Sequence, residues 1–527
     1  MLHGSNARPR AAGSRPRASH DGPWVAGVMV AGLILRLWLA TRNAGITMDS
    51  PTYVRMAEEL LGGVSDPEAY VHLGYPALIA LASRALPGRE LPGRAVSLLM
   101  GLAVIGLTYA LARTRLSARW SSLAAGLVAL HPLIAVYSGV IMSETTFQAL
   151  TYGALFLVGR RQNARGGGLT GIAYWVRPEA LVLAAGTPLF GRVGRRGTLL
   201  FLIAFVIATL PYLAYLRWER GSWVLSPKTA LVRPPPVKRA DIEFRIPSTG
   251  AISAPPQAPA GLARWDVPAL EAHYLPNLLR HALNLVDAWP WPLIALSVVG
   301  LACRRGALVA PLLILPVLPL VDVIFDPRFV LVTLPALGIF AAEGAAWLSA
   351  HGRGLLPDGA GRRVLPAATV LIATAGLAWC WMGPNLVQAL VFDDGPMPEL
   401  RAAGAWLQAN GRAGATVMDR KSYVPFFAGM RHAQIPDNDY DTIVEWARRS
   451  GADYLVVEEY VMRSLRPQLA RLVLDPQFRA RESRLRLLYS WREAVDSGVA
   501  IFEVVRDPVP GPAPRAGNTP VRAGEPR

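Results

Sequence analysis

Apolar positions along this chain fall in long unbroken runs, not in the alternation of a half-buried strand or the one-sided stripe of a surface helix. A helix needs about 20 mostly apolar residues to cross the hydrocarbon core of a bilayer. Nine runs, bounded by arginines or turn residues, are read as crossings: Trp24 to Ala40, Arg94 to Leu111, Trp120 to Tyr137, Val140 to Val158, Thr198 to Leu216, Ala288 to Cys303, Ala307 to Phe325, Phe329 to Ser349 and Val364 to Trp381. A further apolar stretch, Leu169 to Phe190, carries Arg177, Pro178 and Glu179 at its middle. It predicts two half-helices that meet at the proline and return to the side they came from, since broken helices are tolerated where protein buries them.

Three polar regions are large enough to hold chemistry. In residues 41–93, Pro51 to Leu61 and Tyr75 to Leu86 read as short interfacial helices. Residues 217–283 hold the proline clusters 234–236 and 255–259, which predict extended chain. Residues 393–507 alternate helical patterns (Glu399 to Asn410, Tyr440 to Arg449, Arg463 to Leu474) with short strands (Thr416 to Asp419, Asp453 to Glu458, Ala500 to Val505). That is the rhythm of a small α/β domain. The remainder, 508–527, is rich in proline, glycine and arginine and is expected to be disordered.

Composition supports this picture and adds a direction. Of 527 residues, 52% are hydrophobic and only 17% charged, against about 25% charged in ordinary globular chains. The net charge of +17 is carried almost wholly by arginine, with lysine only at 228, 238 and 421. The arginines sit in short clusters between apolar runs, as membrane topology would place them, so no nucleic-acid partner is expected. The leader before Trp24 holds Arg8, Arg10, Arg15 and Arg17 with no acid before Asp21. The positive-inside rule then puts residues 1–23 in the cytoplasm, along with the clusters Arg113/Arg115/Arg119, Arg160/Arg161/Arg165, Arg192/Arg195/Arg196, Arg304/Arg305 and Arg353/Arg362/Arg363. The first run contains Arg36 and no small-x-small cleavage site follows it, so it should remain as an anchor in the inner (plasma) membrane. The predicted fold is mainly α: a polytopic transmembrane helical bundle over 24–392 with a C-terminal extracytoplasmic α/β domain over 393–507. Cys303 and Cys380 fall in separate apolar runs and form no disulfide framework or CxxC metal site.

Ionisable residues beside apolar runs are the candidates for chemistry. Asp49 lies just past the first crossing, either as a cap for the helix starting at Pro51 or as a carboxylate at the water–membrane boundary. Glu144 stands at the outer end of the fourth crossing, where an acid either favours the helix N-terminus or marks a hydrated cavity. Arg328 occupies the short connection before Phe329 and either bridges to Asp326, snorkels, or binds a lipid phosphate bidentately. Arg177 and Glu179 are expected to neutralise one another. His72 and Tyr75 flank a turn, and without HExxH spacing no metal is assigned to His72. Arg36 reads as structural.

Taken in order, the segments Asp49-x-x-x-Tyr53, Leu73-Gly74-Tyr75-Pro76-x-Leu78, His131-Pro132 with Ser143-Glu144, Arg177-Pro178-Glu179 and Asp326-Pro327-Arg328-Phe329 with Pro335 resemble the GT-C glycosyltransferases. This broad class includes protein O-mannosyltransferases and lipid A aminoarabinose transferases. The resemblance runs over nearly the whole length, and Asp393 onward resembles the outside domain many members carry. It implies transfer of a sugar from a polyprenyl-phosphate carrier to an acceptor on the outer face of the membrane. Asp49 is then the general base and Glu144 a second acid that hydrogen-bonds or positions a metal. Arg328, His72, Tyr75, Tyr53 and Arg177 form the surroundings of the lipid phosphate and sugar. No cofactor is assigned, and a divalent metal is left open. Ser50 stands where many members carry a second acid. The rival reading is a multi-span lipid or polysaccharide transporter or flippase; one broken segment and no internal repeat favour the enzyme.

Overall fold

A computed structural model of the chain describes residues 22–42, 45–47, 49–62, 71–191, 193–227, 267–303, 313, 327–351, 361–382, 397–459, 461–492 and 498–506. The expected cytoplasmic leader, the crossing Ala307 to Phe325, the proline clusters at 234–236 and 255–259, Asp326, Asp393 and the tail 508–527 lie outside the described residues. The chain divides into two units, the helices up to residue 382 forming one and the residues from Met397 onward the other.

The first unit is helical: α1 Gly22–Arg42, α2 Ser50–Gly62, α3 Gly74–Ala82, α4 Leu91–Arg113, α5 Ala118–Ala129, α6 Pro132–Tyr137, α7 Glu144–Gly159, α8 Asn163–Val176, α9 Ala180–Phe190, α10 Arg195–Arg220, α11 Val267–Ala288, α12 Trp291–Cys303, a 3-10 turn Pro327–Thr333, α13 Leu334–His351 and α14 Gly361–Cys380. Among the described residues, four helices are long and apolar enough to cross a membrane alone: Gly22–Arg42, Leu91–Arg113, Arg195–Glu219 and Arg328–His351. The expected crossing Ala288 to Cys303 is instead the second limb of a pair, Pro276–Ala288 and Trp291–Cys303, bent by 103°. Trp120 to Tyr137 is split into α5 and α6 because Pro132 cannot continue the helix before it. Val140 to Val158 becomes helical only at Glu144.

The predicted break at Arg177-Pro178 is present. Arg177 is extended, at φ −152° and ψ 140°, as a residue preceding proline prefers. α8 and α9 are the two limbs. Close packing holds the first limb: a Cβ on Gly167 would run into the Phe201 carbonyl of α10, and one on Gly171 would lie 2.7 Å from that of Phe205. Small residues four apart thus let two helices meet backbone to backbone, the means of association available where no water drives apolar packing.

The second unit contains a five-stranded sheet in the order β2-β1-β3-β5-β4. β1 (Thr416–Asp419) pairs in parallel with β2 (Arg431–Gln434) and β3 (Tyr454–Glu458), while β5 (Gly498–Val504) runs antiparallel to β3 and to β4 (Leu485–Arg492). Met418, Leu455, Val457 and Phe502 share a buried core with Ile443 and Val444 of the helix Tyr440–Arg449. The expected helix Arg463 to Leu474 is broken: Pro467 opens a 3-10 turn, and the α-helical part is Ala470–Leu474.

Candidate functional site

Four separate parts of the first unit bring charged side chains to one place. Asp49 sits in a turn tied by Ser50, whose amide donates to the Thr47 carbonyl at 3.1 Å. The Ser50 hydroxyl, fully buried, accepts from the Thr47 amide at 2.9 Å and donates to the Ile141 carbonyl at 3.1 Å. Serine at that position is therefore a structural tie between the loop and the segment before α7. Asp49 opens α2 through its carbonyl, which accepts from the Tyr53 amide at 3.0 Å. Its carboxylate reaches across the fold: Oδ2 accepts from Arg328 Nη1 at 2.9 Å, between residues 279 apart in sequence. The backbone of Asp49 thus starts α2 while its carboxylate serves Arg328.

Arg328 is held by the 3-10 turn, which α7 pins from the side. Gln148 Nε2 donates to the Leu331 carbonyl at 2.5 Å and the Tyr152 hydroxyl to the Val332 carbonyl at 2.9 Å. The guanidinium lies over the Phe329 ring, 5.4 Å from its centroid, a favourable stacking geometry. Its Nε is 4.0 Å from Glu144 Oε1.

Glu144, the first residue of α7, is buried. Oε1 accepts from Arg177 Nη1 at 2.6 Å, and Oε2 has no hydrogen-bond partner among the described residues. Arg177 also donates to Glu179 Oε1, through Nη2 at 2.7 Å and Nε at 3.0 Å. Arg177 and Glu179 pair as expected, and Arg177 also joins Glu179 to Glu144. Among the described residues, three carboxylates, Asp49, Glu144 and Glu179, face two guanidiniums, Arg177 and Arg328. Glu144, Arg177, Glu179 and Arg328 form the charged lining of a cleft whose apolar lining is Phe147, Phe329, Leu331 and Val332.

Tyr53 adjoins this cluster. Its hydroxyl is 3.0 Å from Ser143 Oγ; burial first, then the Asp49 and Glu144 carboxylates, raise its pKa well above the ordinary phenol value and keep it neutral. Tyr75 packs edge-on to Tyr53 at 5.0 Å and donates to the Gly93 carbonyl at 3.0 Å. It supports Tyr53 and does not line the cleft. His72 also lies elsewhere. Nδ1 is 3.0 Å from the Tyr174 carbonyl and Nε2 2.9 Å from Ser226 Oγ, so both ring nitrogens brace the fold. Arg36 is buried in the bundle and donates to the Gly32 and Ala129 carbonyls at 3.0 and 2.8 Å. Among the described residues no three His, Cys, Asp or Glu side chains converge as a metal site would require. Guanidiniums separate the cleft carboxylates.

The sequence reading missed Gln148 and Tyr152. Their signal was present: with Glu144 they stand at intervals of four in an apolar run, a polar stripe that a crossing helix turns toward protein.

By sequence, no family model and no curated protein matches. By structure the chain has the GT-C fold. It is similar to apo ArnT from Cupriavidus metallidurans at TM-score 0.60 and 13% identity, over 92% of this chain and 98% of that one. With ArnT bound to undecaprenyl phosphate the TM-score is 0.56 at 14% identity, over 91% and 98%. The Archaeoglobus fulgidus oligosaccharyltransferase, in complex with Zn and sulfate, gives 0.59 at 13% identity, over 89% of this chain and 72% of that one.

Proposed function

We propose that this protein is an integral membrane glycosyltransferase that moves a sugar from a polyprenyl-phosphate carrier to an acceptor on the outer face of the membrane. The observation that carries the reading is the cleft itself: fixed arginines and carboxylates share it with an apolar wall of Phe147, Phe329, Leu331 and Val332. A carrier with an anionic head and a hydrocarbon tail has the same two-part chemistry. The likeness to a fold in which one relative is bound to undecaprenyl phosphate and another to a dolichol-phosphate supports it.

Asp49 is assigned as general base and Arg328 as the group that stabilises the leaving phosphate. The acceptor hydroxyl or amine attacks the anomeric carbon, its proton passes to Asp49, and the bond from that carbon to the phosphate oxygen breaks with its electron pair on the phosphate. Negative charge then grows beside Arg328, where a preorganised cation lowers the barrier. One displacement with one base inverts the anomeric centre. Glu144, held by Arg177 and lining the cleft, is assigned as a hydrogen-bond acceptor for a sugar hydroxyl.

The test is D49N in reconstituted vesicles supplied with polyprenyl-phosphate sugars. Removal of a general base should lower turnover by about 10² to 10⁴. Unchanged turnover would remove Asp49 from that role, and passage of intact donor across the vesicle without cleavage would replace the enzyme by a transporter.

A further inference from the structure

The cleft poses an electrostatic problem for the ligand assigned to it. Among the described residues its charged lining of Glu144, Glu179, Arg177 and Arg328 balances, and Asp49 beside it already holds Arg328, so an anionic phosphate competes with a carboxylate for an arginine. Geometry selects which one. Arg177 is gripped by two carboxylates at 2.6 and 2.7 Å, and its side chain is 12% exposed. The Arg328–Asp49 contact is longer, at 2.9 Å, between side chains 19% and 16% exposed. Arg328 also lines the cleft while Asp49 does not. It can turn its donors to an incoming phosphate without breaking the buried Glu144–Arg177–Glu179 chain.

We infer that Arg328 is an exchange latch: it holds the Asp49 carboxylate, and a polyprenyl phosphate in the cleft draws it away, so that Asp49 can accept a proton. This rests on the proposed function and adds an order of events to it. The base becomes available only after the donor is seated, so an acceptor arriving first meets a carboxylate already engaged. Asp49 then has two separable roles, base for the reaction and competitor against the donor.

The experiment is a double-mutant cycle on binding of undecaprenyl phosphate to the full chain in neutral detergent, comparing wild type, D49N, R328Q and the double variant. D49N, although inactive in transfer, should bind undecaprenyl phosphate about 3- to 10-fold more tightly, the range expected when a modest partly exposed ion pair no longer competes. R328Q should bind more weakly, and in its background D49N should bring no gain. An equal gain in both backgrounds would reduce the effect to net charge and overturn the latch, as would unchanged affinity in D49N. If R328Q does not fold, R328K serves, keeping a charge without the planar fork; the gain from D49N should then shrink. Inorganic phosphate alone should compete only at far higher concentration, which separates the carrier from free phosphate. Failure of the wild type to bind undecaprenyl phosphate would overturn the carrier assignment as well; binding with an additive cycle would overturn the latch alone.

Discussion

Single residues were legible where their chemistry clashes with their surroundings. Asp49, Glu144, Arg177 and Arg328 each place a charge beside an apolar run, which demands a partner, and the structure brings them together. The identity of the partners was not legible, because Asp49 and Arg328 are 279 positions apart. The groups that hold His72 and Tyr75 are carbonyls and hydroxyls, which leave no mark in a sequence. Asp419 went unremarked, yet it is fully buried at the end of β1, with Glu458 closing the adjacent parallel strand. Burial first, and then the Glu458 charge, raise its pKa well above the usual carboxylate value of 3.8. The folded chain therefore keeps a proton that the unfolded chain releases, so the contribution to stability is full below about pH 4 and is lost as pH rises. D419N supplies an amide proton permanently. Hydrogen exchange in β1 and β3, corrected for intrinsic rates, should show wild-type protection falling above pH 4 by up to about tenfold per pH unit within the titration window, with little fall in D419N. Equal slopes would sink the shared-proton account.

At the scale of elements, hydrophobicity reported where the chain is buried and missed where helices stop. Pro178 announced its break through ring geometry, whereas Pro132 stood inside the expected crossing Trp120 to Tyr137 and splits it. Val140 to Ser143 gave no such sign, since apolar residues packed inside protein look the same whether helical or irregular. The strand β2, Arg-His-Ala-Gln, lacks the alternation that would reveal it and pairs only at a sheet edge. α7 ties such segments into one device: Glu144 at its tip reaches the cleft, and Gln148 and Tyr152, one and two turns on, pin the turn that carries Arg328. Q148L leaves the Leu331 carbonyl without its donor and frees that turn to shift. A displacement of about 1 Å can lower rates by as much as 10², so Q148L combined with Y152F should lower kcat/KM for the lipid donor by about tenfold or more. The chain should still fold, as read by its melting temperature in detergent. A lower melting temperature with kcat/KM unmoved would show that the stripe serves stability alone.

At the scale of the whole molecule, several helices of the first unit carry arginines at the termini opposite those that build the cleft. Arg113 and Arg115 follow from α4, Arg160 and Arg161 from α7, Arg165 lies in the first turn of α8, and Arg195 and Arg196 open α10. The cleft residues come from the opposite termini: Glu144 from the start of α7, Arg177 from the end of α8, Arg328 from the turn preceding α13. Alternation of helix direction thus sets these arginines apart from the site, so the positive-inside expectation carries an orientation of the cleft with it. If these arginines are cytoplasmic, Asp49 and the cleft face outward, where a lipid-linked sugar would meet its acceptor. Cysteine labelling tests this directly. With Cys303 and Cys380 replaced, E58C on the exposed part of α2 should react with a membrane-impermeant maleimide in spheroplasts, whereas R161C should react only after the membrane is opened. The reverse pattern would place the cleft against the cytoplasm, and transfer to an outside acceptor would fall with it whatever the chemistry of Asp49.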